Sequence, residues 1–340
     1  MRERASGGGM PHDRPDGARS LSFSAFDTDL YVDVYPSQRF PVEAADEALA
    51  ACRRRCAYFE RAFSRTRPDS DVSRAHAASP KPVAVRPETA ELVEAALGFC
   101  ERSGGAYDVT MGTVTSLWDF HTGCVPSRVR VAEALAHVGW RGVSVDRAAS
   151  TIALADKDSV LDLGGIAKGY VADDLARMLD AAGCERFAAN LGGNVLVRGG
   201  SPAGDGRPWR IGVPDPRDPA RTAATVELLD GSVVTSGAYE RRFARGGTVY
   251  HHILDPGTGF PVRGDVASAT VVSDRSVDGD ACATAAFVLG VERGLAFVEG
   301  VAGAEALLID EAGRLHATSG LARGSRAALH SNGVCFSRVE

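Results

Sequence analysis

The chain has 340 residues, of which 44% are hydrophobic and 24% are charged, a balance typical of soluble globular proteins. This composition excludes a wholly disordered chain, a collagen-like repeat and a small disulfide-stapled domain. There are 38 lysine and arginine residues against 44 aspartate and glutamate residues. The formal net charge of −6 supplies no global positive field for nucleic acid or an anionic membrane, so we expect neither partner.

The N-terminal 20 residues lack an apolar segment and a cleavage site, and their composition predicts a disordered leader. No later stretch approaches ~18 uninterrupted apolar residues, so no membrane span is expected. Seven cysteines without zinc-site spacing indicate reduced thiols and a cytoplasmic location. We therefore expect a leader over 1–20, one domain over 21–330 and a tail over 331–340.

Hydrophobic periodicity predicts the elements in chain order. A β-like run begins at Leu21 and continues to Tyr35. Helices are predicted at 43–63, 88–100 and 129–137, and a hairpin at 142–154. The middle of the chain reads as a strand at 160–165, a helix at 166–183 and one strand at 187–200. The last part reads as strands at 209–213, 223–229, 232–235, 249–254 and 267–272, helices at 278–289 and 292–299, and a hairpin at 304–318. Helices packed on largely antiparallel strands define an α+β fold.

The segment 161–170, LDLGGIAKGY, is the first cluster that could carry chemistry. An acidic residue, a turn of two glycines and a helix that begins with a lysine aim backbone groups and an ammonium at one point, which suits an anion or a nucleotide. The spacing matches neither a dinucleotide-binding fingerprint nor a P-loop. The alternative is a plain corner between a strand and a helix.

Asp280 and Thr284 form the second cluster, because residues four apart share one face of a helix. A carboxylate and a hydroxyl favour a hard cation, with Mg²⁺ ahead of Ca²⁺ or Zn²⁺. The alternative is that the aspartate stabilises the helix N-terminus.

Two further clusters lie in the strand-rich part of the chain. His251 and His252 are adjacent, so in a strand they point to opposite faces and only one of them can face a site. The hydroxyls of Thr235 and Ser236 stand beside a glycine, where they either bind phosphate or form a turn.

Taken in order, these clusters resemble the ApbE family of FAD:protein FMN transferases, which move FMN from FAD onto a serine or threonine of an acceptor protein. The resemblance runs from about Phe23 to Ala304. Its specific parts are the segments 69–74, 105–112, 117–118, 161–170, 190–193, 235–237, 252–256 and 280–284. It implies mixed, largely antiparallel sheets packed with helices, T-fold-like, with the nucleotide site between two subdomains.

The resemblance also implies roles for individual residues. The carbonyl of Gly165, with Asp280 and Thr284, would hold Mg²⁺, and His252 and Asp280 would be catalytic. The residues that would line the FAD pocket are Phe26, Ala106, Tyr107, Asp108, Asp162, Lys168 and Ile253. The acceptor would be a redox subunit or a flavin reductase domain, and AMP would be released.

The sequence departs from the family pattern at several positions. Phe26-Asp27-Thr28 stands where relatives usually carry Met-Gly-Thr, so Asp27 adds a charge and removes a flexible glycine. Thr113, Asp71 and His76 replace the usual Pro, Glu and Asn. Two other functions stay open on the sequence alone: an FAD pyrophosphatase that gives FMN and AMP, and a flavin-binding protein with weak turnover.

Overall fold

The computed structural model describes residues 10–204, 206–324, 327–331 and 336–337. Its α-helices are α1 (Val42–Phe63), α2 (Asp71–Ala78), α3 (Pro87–Arg102), α4 (Gly112–Thr115), α5 (Arg128–Leu135), α6 (Ala167–Ala181), α7 (Ser276–Leu289), α8 (Val291–Glu299) and α9 (Ser319–Ala322). Its strands are β1 (His12–Asp13), β2 (Arg19–Ala25), β3 (Thr28–Val34), β4 (Val83–Ala84), β5 (Val143–Asp146), β6 (Thr151–Leu154), β7 (Phe187–Leu191), β8 (Asn194–Arg198), β9 (Trp209–Asp215), β10 (Asp218–Leu228), β11 (Gly231–Gly237), β12 (Arg242–Arg245), β13 (Thr248–His251), β14 (Val266–Ser273), β15 (Ala304–Asp310), β16 (Leu315–Ala317), β17 (Ala328–Ser331) and β18 (Phe336–Ser337). Within the described part of the chain, no helix is both long and apolar enough to cross a membrane.

A ten-stranded sheet organises the molecule, in the order β1-β2-β3-β7-β8-β11-β14-β15-β16-β18. Its neighbouring strands are antiparallel except for β16 and β18, which are parallel. Three smaller sheets accompany it: β17-β10-β9, β12-β13 and β4-β6-β5. The predicted α+β architecture with largely antiparallel strands is confirmed.

The two faces of the large sheet are covered by different layers. Helices α1, α6 and α7 pack over one face, where β-strand side chains such as Val32 and Val271 join the largest buried cluster. A second cluster, around Val226 and Leu307, lies where β9 and β10 cover the other face. A third cluster, around Trp118 and Leu254, lies beside α4 and α5. Burying both faces of the sheet is the usual solution for a mixed layer fold.

Parts of both predicted terminal segments form strands in the structure. Within the predicted leader, β1 pairs with β2, which begins at Arg19, and the guanidinium of Arg19 donates to Asp46 of α1 at 2.7 Å. Residues 1–9 lie outside the described residues. Within the predicted tail, β17 ends at Ser331 and β18 adds to the edge of the large sheet.

Two strand predictions in the middle of the chain were wrong. The segment 160–165 makes a single bridge, between Val160 and Met111, because its partner segment turns at once into α4. The predicted strand 187–200 is instead a hairpin of β7 and β8. Gly192 and Gly193 form its turn with φ of +63° and +87°, angles that only glycine adopts at little cost.

Helices α6 and α7 cross closely at Gly169, in the glycine-rich segment 161–170. A Cβ added to Gly169 would lie 2.3 Å from the carbonyl oxygen of Ser276, so glycine is required for this approach. The carboxylate of Asp173 on α6 accepts hydrogen bonds from the N–H groups of Ser276 and Val277, at 2.8 and 2.9 Å. It thereby caps α7 and fixes where that helix begins.

Candidate functional site

A cavity of about 1090 Å³ lies between the start of α6, the middle of α7 and the loops around Tyr107 and His252. This volume is large enough for a dinucleotide-sized ligand. It is lined by every residue that the sequence placed in the site, namely Phe26, Ala106, Tyr107, Asp108, Asp162, Gly165, Lys168, His252, Ile253, Asp280 and Thr284. Thr235 and Ser236 of β11 also line it.

Asp280 is the buried acidic centre of the site, with 3% of its surface exposed. One carboxylate oxygen accepts the backbone N–H of Gly169 at 2.9 Å, and the other lies 3.7 Å from the ammonium of Lys168. Lys168 also donates to the carbonyl of Gly164 at 3.4 Å. A buried carboxylate requires such partners, because an isolated charge is strongly unfavourable away from water.

Gly165 and Thr284 stand beside this carboxylate. A Cβ added to Gly165 would lie 3.1 Å from the hydroxyl oxygen of Thr284 and 3.1 Å from the ring of Tyr107, so the bare glycine backbone faces the threonine. Thr284 lies one turn after Asp280 on α7 and donates to its carbonyl at 3.3 Å. Carboxylate, hydroxyl and carbonyl oxygens are the donor types that a hard divalent cation prefers, so the chemistry of these three residues fits such an ion.

Several buried polar atoms around the cavity have no hydrogen-bond partner among the described residues. They include the hydroxyl of Tyr107, Nδ2 of Asn194 and Nδ1 of His252, all on cavity-lining residues. Buried polar atoms are normally paired, so atoms left unpaired at a cavity mark where a ligand's polar groups would be accommodated.

The two adjacent histidines have different environments, as their alternation predicts. His252 lines the cavity, whereas His251 packs edge-on against Phe287 and contacts the carbonyl of Val262 through Nε2 at 3.1 Å. Burial, reinforced by the nearby charges of Arg241 and Lys168, lowers the pKa of His252 to about 3. His252 is therefore a neutral imidazole at physiological pH.

The carboxylates of Asp108 and Asp162 accept hydrogen bonds from other residues of the cavity wall and its surroundings. Asp108 accepts from the N–H and hydroxyl of Thr110, at 2.8 and 2.6 Å. Asp162 accepts from the N–H of Gly164 at 2.9 Å and from the hydroxyl of Thr115 at 2.8 Å. Both residues line the cavity, and these hydrogen bonds also stabilise the backbone around them.

Some cavity-lining residues were not singled out from the sequence. They include Glu60, Arg65, Thr115, Asn194 and Arg241. Arg65 lies 3.6 Å from the carboxylate of Asp162, a contact between segments almost a hundred residues apart. The sequence signals for these residues were weak: Asn194 directly follows the glycine pair, and Arg241 lies four residues after the segment 235–237.

Within the described residues, one group of three potential metal ligands was found elsewhere: His137, Asp156 and Asp158. The Nδ1 atom of His137 lies 2.8 Å from Asp156, while its Nε2 atom lies 4.0 Å from Asp158. The opposite nitrogens of one ring thus face the two carboxylates, an arrangement typical of ion pairing. This group does not line the cavity.

Comparison with known proteins decides the family. The model of the ApbE family matches residues 26–308, which is most of the chain and includes every residue predicted for the site. The chain belongs to the ApbE family. The family prediction, and with it the predicted enzyme class of flavin transferase, is confirmed.

Relatives and solved structures of this family agree in sequence and in shape. The chain is 40% identical over 278 residues to the FAD:protein FMN transferase of Treponema pallidum, covering 77% of this chain and 76% of that protein. It superposes on the ApbE protein of Thermotoga maritima with a TM-score of 0.81 at 32% identity, covering 91% and 99% of the two chains. It superposes on the flavin transferase ApbE of Vibrio cholerae with a TM-score of 0.78 at 28% identity, covering 89% of this chain and 98% of that chain.

Proposed function

We propose that this chain transfers FMN from FAD to a serine or threonine hydroxyl of an acceptor protein, with Mg²⁺ held by Gly165, Asp280 and Thr284. The observation that carries the proposal is the convergence of oxygen donors, unpaired polar atoms and a neutral histidine on one dinucleotide-sized cavity. The relatives from Treponema pallidum and Klebsiella pneumoniae are FAD:protein FMN transferases, which supports the same reaction.

The charge of the cavity supports a requirement for a divalent cation. Its lining contains six carboxylates, on Asp27, Glu60, Asp108, Asp162, Glu240 and Asp280, against four cationic side chains, on Arg65, Lys168, Arg241 and Arg242. A pyrophosphate that carries two negative charges meets net repulsion in such a lining. When bound, Mg²⁺ would neutralise phosphate charge and stabilise the leaving phosphate.

In the proposed reaction the acceptor hydroxyl oxygen forms a bond to the FMN-side phosphorus. The bond from that phosphorus to the bridging oxygen breaks, and AMP leaves with the bridging oxygen. The hydroxyl proton passes to a base in the site. Positioning and charge neutralisation supply most of the acceleration in phosphoryl transfer, so residues that hold the phosphates matter more than covalent chemistry.

His252 is our choice for the proton acceptor. It is neutral, it lines the cavity, and its Nδ1 atom has no partner among the described residues. Lys168 would contact the phosphates, since its ammonium lies at the cavity beside Asp280. Phe26, Tyr107 and Ile253 would supply apolar contact for the flavin or the adenine.

The acceptor and its location are predictions from the sequence. A redox subunit or flavin reductase domain would offer the hydroxyl. Six cysteines in the described residues are free thiols, five of them buried, which accords with a reducing compartment such as the cytoplasm.

The experiment is a transfer assay with purified protein, FAD, Mg²⁺ and candidate acceptors, read as flavin fluorescence that survives a denaturing gel. We expect adduct with the wild type and its loss with EDTA or with Asp280→Asn. The matched control is Asp278→Asn, which removes a carboxylate from the same helix without altering the cavity lining. Release of free FMN and AMP at the same rate with and without acceptor would instead identify an FAD pyrophosphatase and overturn the proposal.

A further inference from the structure

The turn between β2 and β3 is strained and stands at the cavity. Ala25 pairs with Thr28, so Phe26 and Asp27 form a two-residue turn with φ of +53° and +58°. Glycine and asparagine favour such angles, whereas a phenylalanine there is uncommon. The N–H of Phe26 donates to the carboxylate of Glu60 on α1 at 2.7 Å, which fixes the turn against that helix.

Asp27 links this turn to two other segments of the cavity wall. Its carboxylate lies 3.3 Å from Nε2 of His121 and 3.9 Å from the guanidinium of Arg241. All three residues line the cavity, and their side chains are 40%, 65% and 45% exposed. They therefore stand at the opening of the cavity, where it meets solvent.

Each partner of Asp27 is attached to a part of the site. His121 follows Trp118 and Phe120, whose rings stack at 5.7 Å and line the cavity. The carbonyl of Arg241 accepts the N–H of His252 at 3.1 Å. The carboxylate of Asp27 thus connects three segments: the turn at Phe26, the loop that carries Trp118 and Phe120, and the segment before His252.

We propose that Asp27 is a positioning residue that straps these three wall segments together and slows the escape of bound FAD. The inference rests on the proposed function, since it takes FAD as the ligand of the cavity.

The expected effect is modest, because partly exposed ion pairs are weak. The ion pair with Arg241 and the contact with His121, both partly exposed, correspond together to a change in FAD dissociation rate of about 2- to 10-fold. The effect should appear in the dissociation rate and hence in the Kd, while the transfer rate at saturating FAD changes less than about twofold.

The test measures FAD dissociation by stopped-flow flavin fluorescence in the full chain with Mg²⁺. Asp27→Asn removes the charge but keeps a residue that tolerates positive φ, so the turn is retained. Asp29→Asn is the matched control: it lies on the same hairpin, pairs with Ser24 and does not line the cavity. We expect faster dissociation for Asp27→Asn and the wild-type rate for Asp29→Asn.

A double-mutant cycle distinguishes a direct interaction between Asp27 and Arg241 from a general destabilisation of the cavity wall. If Asp27 acts through Arg241, Asp27→Asn will have less effect in an Arg241→Gln background than in the wild type. Raising the salt concentration should bring the Asp27→Asn and wild-type rates together, since screening weakens exposed pairs. Equal rates at low salt, or full additivity in the cycle, would overturn the strap and leave the proposed function intact. A wild type that binds no FAD would overturn the proposed function itself.

Discussion

At the scale of single residues, the site depends on how burial sets protonation. The neighbouring histidines show this, since both are largely removed from water but only His252 faces the cavity. Its imidazole stays neutral because protonation would place a charge in a buried position beside Arg241 and Lys168. A neutral ring can accept a proton, but the burial and positive charges that keep it neutral also make it a weak base in the ligand-free protein; the negative charge of a bound pyrophosphate would raise its pKa.

This assignment predicts the titration of His252. Its pKa in the folded, ligand-free protein is about 3, below the ordinary 6.5, so it should show no midpoint between about pH 5 and about pH 8. The unfolded chain binds this proton at higher pH than the folded one, so the group reduces stability as pH falls below 6.5 toward 3. NMR of labelled histidines measures it, with His252→Asn for assignment. A midpoint near 6.5 would contradict the account.

A second buried charge, on Asp71, connects α2 to the start of α3. Its fully buried carboxylate accepts from the N–H of Arg86 at 2.9 Å, the guanidinium of Arg86 at 2.7 Å and the hydroxyl of Thr89 at 2.6 Å, and it also pairs with Arg74. Burial alone would raise its pKa, but these bonds outweigh burial and lower the pKa below its usual 3.8.

We therefore expect Asp71→Asn to destabilise the protein at neutral pH by about 1–3 kcal/mol, because it removes a buried charged acceptor from the N–H of Arg86 and from the partly exposed guanidinium groups of Arg74 and Arg86. A lowered folded pKa gives stability that is present above 3.8 and lost as pH falls through the folded value. The difference in the free energy of unfolding between variant and wild type, measured by urea denaturation, should accordingly become smaller below about pH 4. Asp69→Asn, an exposed neighbour paired with Arg67, is the control and should change little. A gap that is independent of pH would refute the role given to Asp71.

At the scale of elements, the crossing of α6 and α7 positions the acidic centre. Gly169 permits the contact, and its N–H binds the carboxylate of Asp280. The cap that Asp173 provides to α7 then sets the register of Asp280 and Thr284 along the helix.

Gly169→Ala should destabilise the protein by about 1–3 kcal/mol, since the added methyl meets backbone at 2.3 Å and the two helices must move apart. It should also weaken metal-dependent FAD binding. Gly98→Ala in α3 is the control: its added methyl meets the flexible end of Arg102 at 3.3 Å, so we expect about 0.5–1 kcal/mol of stabilisation from helix propensity. Chemical denaturation measures both. Equal effects of the two substitutions would contradict the importance of the crossing.

The elements also show which features could be predicted from sequence. The pair Asp280 and Thr284 was found because helical spacing is a local rule that needs no tertiary contact. The segment 160–165 was predicted as a strand because its apolar residues fit one, but a strand requires a partner, and the partner turns into α4 after one bridge. Helix α2 was missed, although Ser70 caps it through the N–H of Ser73, because the helix is short and only weakly apolar.

The structural partners of Asp162 and Asp108 could not be predicted either. Thr115 is 47 residues from Asp162, and Trp140 is 32 residues from Asp108. Only the fold brings such groups together. The turn at Phe26 and Asp27 escaped prediction for a different reason: aspartate is common in turns, but phenylalanine at positive φ is not, and the pairing of β2 with β3 imposes these angles.

At the scale of the whole molecule, a formal charge of −6 accompanies a cavity that is itself rich in carboxylates. Such a protein should bind an anionic dinucleotide well only with a cation. We predict that removing Mg²⁺ with EDTA weakens FAD binding at least about 10-fold, measured by calorimetry. In Asp280→Asn, EDTA should have no further effect, whereas Asp278→Asn should behave like the wild type. Metal-independent affinity would contradict the proposed cation site.

The most direct test of the central claim is mass spectrometry of an acceptor protein incubated with this chain, FAD and Mg²⁺. The account predicts FMN attached through its phosphate to one serine or threonine of the acceptor, with AMP released in equal amount. Replacing that hydroxyl residue with alanine should abolish the adduct. An acceptor of unchanged mass, together with FMN and AMP accumulating in solution, would contradict it.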